Sequence, residues 1–335
     1  MSLLQVALYS LAVASSVVGS TAEPVRVLDR DFPDPSIIQT ADGEYSFATT
    51  SGGRNVQVAH SADFVTWEFL DDHDALPGLF PDWVDGEPMV WAPDVFQRDD
   101  GKFVMYYSAR PAGDGKHCLG VATSSAIEGP YTPQDKSWAC PLEQGGAIDA
   151  AGFRDDDGTL YVTYKIDGSA LNTDGSEFHP TPLVLQKVNA DGFTRVGDPV
   201  TLLDRTDEDG PLIEAPAIVK ADGFYYLFYS SHLFDSPNYD SKYATAPSVA
   251  GPYTRVGRVL VPGDPSNVGP LSGPGGADIT EDGTKFVFHA NRNNQDPTSG
   301  RALYTTRVSL AGGKVNLTDR NSSCKFVPIF WSIRH

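Results

Sequence analysis

Very little in this 335-residue chain favours a helix. Beyond the N-terminus no segment sustains apolar residues at helical spacing, and 25 Pro and 32 Gly interrupt almost every apolar run. Helical bundles and helical repeats are therefore excluded. Basic residues are also scarce: 25 Lys and Arg stand against 44 Asp and Glu, a formal charge of −19. That balance argues against nucleic acid or an anionic membrane as a partner and for a neutral ligand. Only three cysteines occur, and neither a Cys-x-x-Cys nor a His-Glu-x-x-His pattern is present, so no zinc ligands are grouped locally. Cys118 and Cys140 are close enough to bridge, but Cys324 would be left over and the odd count leaves the pairing open.

The N-terminus is the one long apolar stretch. Met1 to Ser20 carry no Lys or Arg and end in small residues, with Ser20-Thr21-Ala22 placed as a cleavage site. Residues 1–22 therefore read as a secretory signal peptide, too short and too rich in small residues to span a membrane. A secreted, extracellular protein is expected, and the triplets Asn316-Leu317-Thr318 and Asn321-Ser322-Ser323 would permit glycosylation.

What the chain has in quantity is one repeated pattern. Asp42-Gly43, Asp100-Gly101, Asp157-Gly158, Asp222-Gly223 and Asp282-Gly283 each introduce an aromatic-rich run: EYSFATT, KFVMYYS, TLYVTYK, FYYLFYS and TKFVFHA. Asp-Gly between apolar runs signals a hairpin, because tight primed turns need the positive φ that these residues tolerate. The spacing near sixty residues exceeds that of helical repeats and suits a blade of four antiparallel strands. A second echo follows in Gly129-Pro130-Tyr131 and Gly251-Pro252-Tyr253. The expectation is an all-β chain in which residues 23–335 form a single five-bladed β-propeller, with blades of mostly four antiparallel strands.

Three acids share a place in this pattern. Asp34, Asp149 and Glu214 each lie eight residues before their Asp-Gly turn. The first strand of each blade lines a propeller's channel, so equal offsets would bring the three to one mouth. Like charges at close range raise at least one pKa, which lets one acid keep its proton where another acts as base. A protonated acid facing an ionised base is the apparatus of glycoside hydrolysis.

These residues resemble the glycoside hydrolase family 43 propellers from about Asp31 to Arg307. The resemblance rests on Asp34-Pro35-Ser36, on Trp91-Ala92-Pro93-Asp94-Val95, on Ile148-Asp149 before the third turn, and on Ile213-Glu214-Ala215-Pro216. It implies Asp34 as general base, Glu214 as general acid, and Asp149 as the residue that orients that acid and raises its pKa. The implied reaction is single-step hydrolysis with inversion across a carboxyl separation of about 6.5–9.5 Å. Trp91 is a candidate aromatic wall for the sugar, Phe32 a second contact, and His289, Arg292 and Arg301 candidates for lining the site or binding hydroxyls. Asp94 is expected to be structural. Many members carry Gly-Pro-Gly-His in the fifth blade, near a central metal ion. Here Gly276 stands where that histidine would be, which puts a central metal ion in doubt without excluding one; no cofactor is expected to be required.

The family's usual targets imply α-L-arabinofuranosidic or β-D-xylosidic bonds of plant cell-wall oligosaccharides. The length of the chain suggests exo action, with endo-1,5-α-L-arabinanase activity as the nearest alternative. A carbohydrate-binding propeller without catalysis is the alternative of a different class. The fructan-processing propellers, which retain configuration, are disfavoured because they carry Asp-Pro-Asn, Arg-Asp-Pro and Glu-Cys at the three acid positions.

Overall fold

The computed structural model describes residues 22–172, 178–293 and 296–318. The expected signal peptide, apart from Ala22, the Asn321 triplet and Cys324 lie outside them. Strand β1 (Val25–Leu28) precedes blade one, which contains β2 (Ser36–Thr40), β3 (Gly43–Ala48), β4 (Gln57–Ser61) and β5 (Glu68–Phe69). Blade two is β6 (Trp91–Gln97), β7 (Phe103–Ala109), β8 (Cys118–Ser124) and β9 (Thr132–Pro133). Blade three is β10 (Ala147–Arg154), β11 (Leu160–Ile166), β12 (Leu183–Val188) and β13 (Arg195–Leu203). Blade four is β14 (Ile213–Ala221), β15 (Phe224–Ser231), β16 (Asp240–Ala246) and β17 (Thr254–Leu260). Blade five joins β18 (Gly275–Ile279), β19 (Lys285–Asn293) and β20 (Asp296–Ala311), with β1 and β21 (Lys314–Thr318) both pairing with β20.

The innermost strands touch in the cyclic order β2, β6, β10, β14, β18 and back to β2. This is the five-bladed β-propeller expected from the repeat. Among the described residues there is no α-helix, only short 3-10 turns. Blade five is the exception to four strands, because the N-terminal strand crosses over to close the ring. No sequence repeat marks that strand.

The aromatic runs sit where both faces of a blade are covered. In β7, Val104 and Tyr106 pack toward blade three, whereas Met105 and Tyr107 pack toward blade one. In β15, Tyr226 and Phe228 face blade five, and Tyr225, Leu227 and Tyr229 face blade three. Successive side chains point to opposite faces of a strand, so a strand buried on both sides must be apolar throughout. Each large side chain so buried contributes roughly 1.5–3 kcal/mol. The result is five cores between blades rather than one at the centre, and the axis is left free for polar groups.

The hairpins differ more than their sequences do. Only blade four makes the primed two-residue turn, with Asp222 at φ 49° and Gly223 at φ 77°. In blades two, three and five the glycine N–H instead bonds the carbonyl three residues back, in the pairs Gly101–Arg98, Gly158–Asp155 and Gly283–Thr280. In blade one the turn is Ala41-Asp42 and Gly43 already pairs with Thr40. All except blade one's turn use the glycine's positive φ at the turn, but loop length sets where it falls. The Gly-Pro-Tyr echoes are true equivalents: Tyr131 and Tyr253 each enter an inter-blade core and donate to a carbonyl four residues back.

Cys118 and Cys140 form a disulfide that ties β8 to the loop before blade three. Asp94 is structural as expected: its Oδ2 accepts the Gly152 N–H at 2.7 Å, tying blade two to blade three. Asp278 does the same from blade five to Ile37 of blade one, also at 2.7 Å.

Candidate active site

Each innermost strand begins with a kink. Asp34, Ala92, Asp149, Ala215 and Gly276 have φ of 52°, 39°, 59°, 51° and 56°. With the two residues after each, they line a narrow central cavity. Four of the five are not glycine, and each such residue costs on the order of 1–3 kcal/mol unless its surroundings hold it. The kink disrupts the ladder in blades two to five, between Trp91 and Asp94, Ile148 and Ala151, Glu214 and Ala217, and Gly275 and Asp278. Such bulges free backbone amides and re-aim side chains.

The freed amides are caught in rotation around the ring. Asp34 N–H donates to His289 Nδ1 of blade five at 3.0 Å, and Ala92 N–H to Thr49 Oγ1 of blade one at 3.0 Å. Asp149 N–H donates to Ser108 Oγ of blade two at 3.3 Å, and Gly276 N–H to Ser230 Oγ of blade four at 2.9 Å. Ala215 N–H donates to Asp149 Oδ2 of blade three at 2.9 Å. Every kink is thus capped by a side chain of the preceding blade.

This frame corrects the equal spacing of the acids. Asp34 and Asp149 are kink residues, but in blade four the kink is Ala215, seven residues before its Asp-Gly pair, and in blade five it is Gly276, six before. Glu214 lies one position earlier, where blade two has Trp91. The offset of eight arises because the blade-four turn is shorter. The three acids nevertheless meet: Asp34 and Glu214 both act electrostatically on Asp149 and on the Tyr239 hydroxyl.

Their environments differ. Burial alone would raise the pKa of Asp34, but the Arg301 guanidinium at 2.9 Å from Oδ1 and the Thr49 hydroxyl at 2.7 Å from Oδ2 hold it below the usual carboxylate range. Burial and then the Glu214 carboxylate push Asp149 well above that range, against the pull of Lys165. Glu214 is held from both sides. Tyr239 OH donates to Oε1 at 2.9 Å, and Lys165 Nζ lies 3.0 Å from Oε2. Burial and the nearby carboxylates of Glu214 and Asp34 keep Tyr239 a neutral phenol. The site therefore holds one carboxyl, Asp34, that favours its ionised form beside Arg301, and another, Asp149, that favours its proton.

Of the proposed sugar contacts, Arg301 reaches the site through Asp34, and its guanidinium also lies 4.6 Å over the half-exposed ring of Phe234. Trp91 is partly buried at the mouth, one face stacked on His117 at 3.5 Å. Phe32 is a correction: it is 0% exposed, packed edge-on to Phe69 between blades one and five, and cannot touch a sugar. Arg292 pairs with Asp29 and the Ser299 carbonyl, away from the three acids.

His289 is fully buried and stacks on Tyr239 with ring centroids 5.7 Å apart. Burial, then Arg301, lowers its pKa to about 3, so the ring is neutral and its Nδ1 accepts from Asp34. A Cβ at Gly276 would lie 2.5 Å from its Cε1. The imidazole from β19 thus fills the space that a side chain at 276 would take. Gly275 likewise makes room for the Tyr239 ring. Among the described residues no group of three or more His, Cys, Asp or Glu side chains is arranged to hold a metal ion. His289 offers one unpartnered nitrogen, Nε2, which does not make a ligand set.

Lys165, Tyr239, Thr49 and Phe234 were not singled out from sequence. Lys165 did carry a signal, as a lone charge inside the apolar run Leu160–Ile166. The others had none, because nothing local connects them to the acids.

Comparison with known proteins bears on this arrangement. The family model described as glycosyl hydrolases family 43 matches residues 24–314. An extracellular endo-α-(1→5)-L-arabinanase of Thermotoga petrophila is 32% identical over 160 residues, covering 39% of this chain and 33% of that protein. An extracellular exo-α-(1→5)-L-arabinofuranosidase of Cellvibrio japonicus is 28% identical over 254 residues, covering 67% and 66%. The chain spans less than two thirds of the length of the first curated relatives it matches. A crystal structure of a thermostable family-43 glycoside hydrolase superposes with a TM-score of 0.72 at 27% identity, covering 91% of this chain and 98% of that one.

Proposed function

Since this chain belongs to glycosyl hydrolase family 43, we propose that it cleaves α-L-arabinofuranosidic or β-D-xylosidic bonds of plant cell-wall oligosaccharides by single-step hydrolysis with inversion. The observation that carries this reading is the contrast between Asp34, held below the usual carboxylate range by Arg301 and Thr49, and Asp149, pushed well above it by burial and by the Glu214 carboxylate beside it. Asp34 accepts a proton from water as the water oxygen bonds to the anomeric carbon. Glu214 gives its proton to the glycosidic oxygen as the anomeric bond breaks. Asp149 keeps that proton available and, through Ala215 N–H, fixes the backbone beside Glu214. No step passes through a metal. Trp91, Arg301 and Phe234 offer a stacking face, a donor and an apolar edge for the sugar.

Exo action on short arabino- or xylo-oligosaccharides is the first reading, supported by the presence of the exo-acting arabinofuranosidase among the relatives. Endo-arabinanase action is the second, supported by the higher local identity to the Thermotoga petrophila enzyme and by an endo-arabinanase of Bacillus subtilis that matches over 86% of this chain. Secretion is supported by the extracellular relatives and by the Cys118–Cys140 bridge, which persists in oxidising compartments.

The test is proton NMR of the first sugar released from linear arabino- and xylo-oligosaccharides. It should appear as the inverted anomer, and as a monosaccharide if action is exo. Glu214→Gln and Asp34→Asn should each lower kcat by roughly 10²–10⁴-fold. Retained configuration or full activity in both variants would overturn the assignment, and a lack of hydrolysis across arabinosides, xylosides and other glycosides would favour a binding propeller.

A further inference from the structure

The cap around the ring comes from one equivalent place in four blades. The residues facing the position before each kink are Thr49, Ser108, Lys165, Ser230 and His289, and all five are buried. Thr49, Ser108, Ser230 and His289 each offer an acceptor to the next blade's amide. Lys165 cannot, because an ammonium has donors only. In blade three the capping task has passed to the Asp149 carboxylate. Lys165 is 1% exposed, and a buried cation that caps nothing calls for another explanation.

Its contacts supply one. Nζ lies 2.8 Å from Asp167 Oδ1, 3.0 Å from Ser169 Oγ and 3.0 Å from Glu214 Oε2. The charged and titratable groups around this pair are Asp149 on β10, Asp167 after β11, Tyr239 before β16, Asp34 before β2, His289 on β19 and Arg301 on β20. Lys165 is the only cation among them that touches Glu214. We infer that Lys165 is a positioning residue for the proton donor: by occupying Oε2 with an ammonium it leaves Oε1 as the oxygen that carries the transferable proton, with the Tyr239 hydroxyl turned away while Oε1 is protonated. It also stabilises the carboxylate left after transfer, to which Tyr239 then donates as it does here. This rests on the reading of Glu214 as general acid. In the step, the Oε1–H bond breaks, the proton bonds to the leaving oxygen as its bond to the anomeric carbon breaks, and Glu214 becomes a carboxylate already paired to Lys165. Burial alone would favour a neutral amine, but Glu214, Asp167 and Asp149 outweigh it and keep the ammonium charged.

The experiment compares Lys165→Met and Lys165→Arg with wild type on a 2,4-dinitrophenyl glycoside, whose leaving group needs little acid help, and on an unactivated oligosaccharide. Glu214→Gln is the reference, with circular dichroism confirming folding. Lys165→Met is expected to lose roughly 10- to 100-fold more rate on the oligosaccharide than on the activated substrate, and to move the basic limb of kcat/KM upward by about one pH unit. Lys165→Arg keeps the charge but displaces the carboxyl with a bulkier fork, so the limb should stay while the oligosaccharide rate falls selectively. Equal losses on both substrates in whichever variant folds would overturn the inference while Glu214→Gln still shows the selective loss. If Glu214→Gln itself shows equal losses, the general-acid reading fails first.

Discussion

Asp149 Oδ2 accepts the backbone N–H of Ala215 at 2.9 Å. One carboxyl thus carries two duties: it closes the ring of caps between blades three and four, and it sits electrostatically against Glu214. The duties can be separated. Asp149→Asn keeps a carbonyl acceptor for Ala215 but has no acidic proton, whereas Asp149→Ala leaves a buried amide unpaired at about 1–3 kcal/mol. Both variants should lose activity, and only Asp149→Ala should lose that stability in urea unfolding. Equal stability of the two would remove the capping role.

On the proposed mechanism, Asp34 should govern the acid side of the pH profile. Arg301, His289 and Thr49 hold its pKa below the ordinary aspartate range, so it should stay ionised to lower pH than an ordinary aspartate. A depressed folded pKa also means that its contribution to stability is present above the unfolded pKa and is lost as pH falls through the folded one. Arg301→Met should move the acidic limb of kcat/KM upward and reduce the difference in stability between pH 7 and acid. An unmoved limb would mean that another group governs that side.

Gly276 is constrained twice, by its φ of 56° and by His289. Gly276→Ala should destabilise by about 1–3 kcal/mol, and by less in a His289→Ala background, because the clash with the ring is then gone and only the positive φ and the close Asp34 Oδ1 remain. A double-mutant cycle in thermal unfolding measures the coupling. Strict additivity would show that the imidazole does not fill that space.

The Cys118–Cys140 bridge closes a loop of sequence separation 22. Replacing both cysteines with alanine should cost about 3 kcal/mol, read as a lower urea midpoint, with little change in kcat because neither sulfur contacts an acid. A large fall in kcat at full stability would contradict that separation of roles.

The repeat made the blades legible in the sequence because each Asp-Gly turn is local and each aromatic run is buried on both faces. Phase was harder to read. Glu214 fell in step with Asp34 and Asp149 only because blade four has the shorter turn, and that length is decided by pairing rather than by the dipeptide. Trp91 was a candidate because of its ring and its Trp-Ala-Pro-Asp-Val motif; that it precedes a kink, as Glu214 does, is visible only in the structure. Phe32 was misjudged because adjacency in sequence to Asp34 says nothing of which side of a kink a ring occupies. Tyr239 reaches Glu214 across 25 residues and Arg301 reaches Asp34 across 267, and no local pattern encodes contacts of that range.

Because β1 pairs with β20, the two ends of the described chain are joined in one blade, with Asp34 just after the first and Arg301 within the second. During synthesis the carboxyl pair of blades three and four can assemble while blade five is still unmade. The ionised base cannot, since Arg301 and His289 arrive only with β19 and β20. If the proposed activity holds, hydrolytic competence should therefore appear with the last blade, because the loop that must close to create it is among the longest between contacting parts of the described chain. Turnover during refolding would time the docking of the ends, whereas tyrosine fluorescence from the earlier blades would report only that the ring had begun.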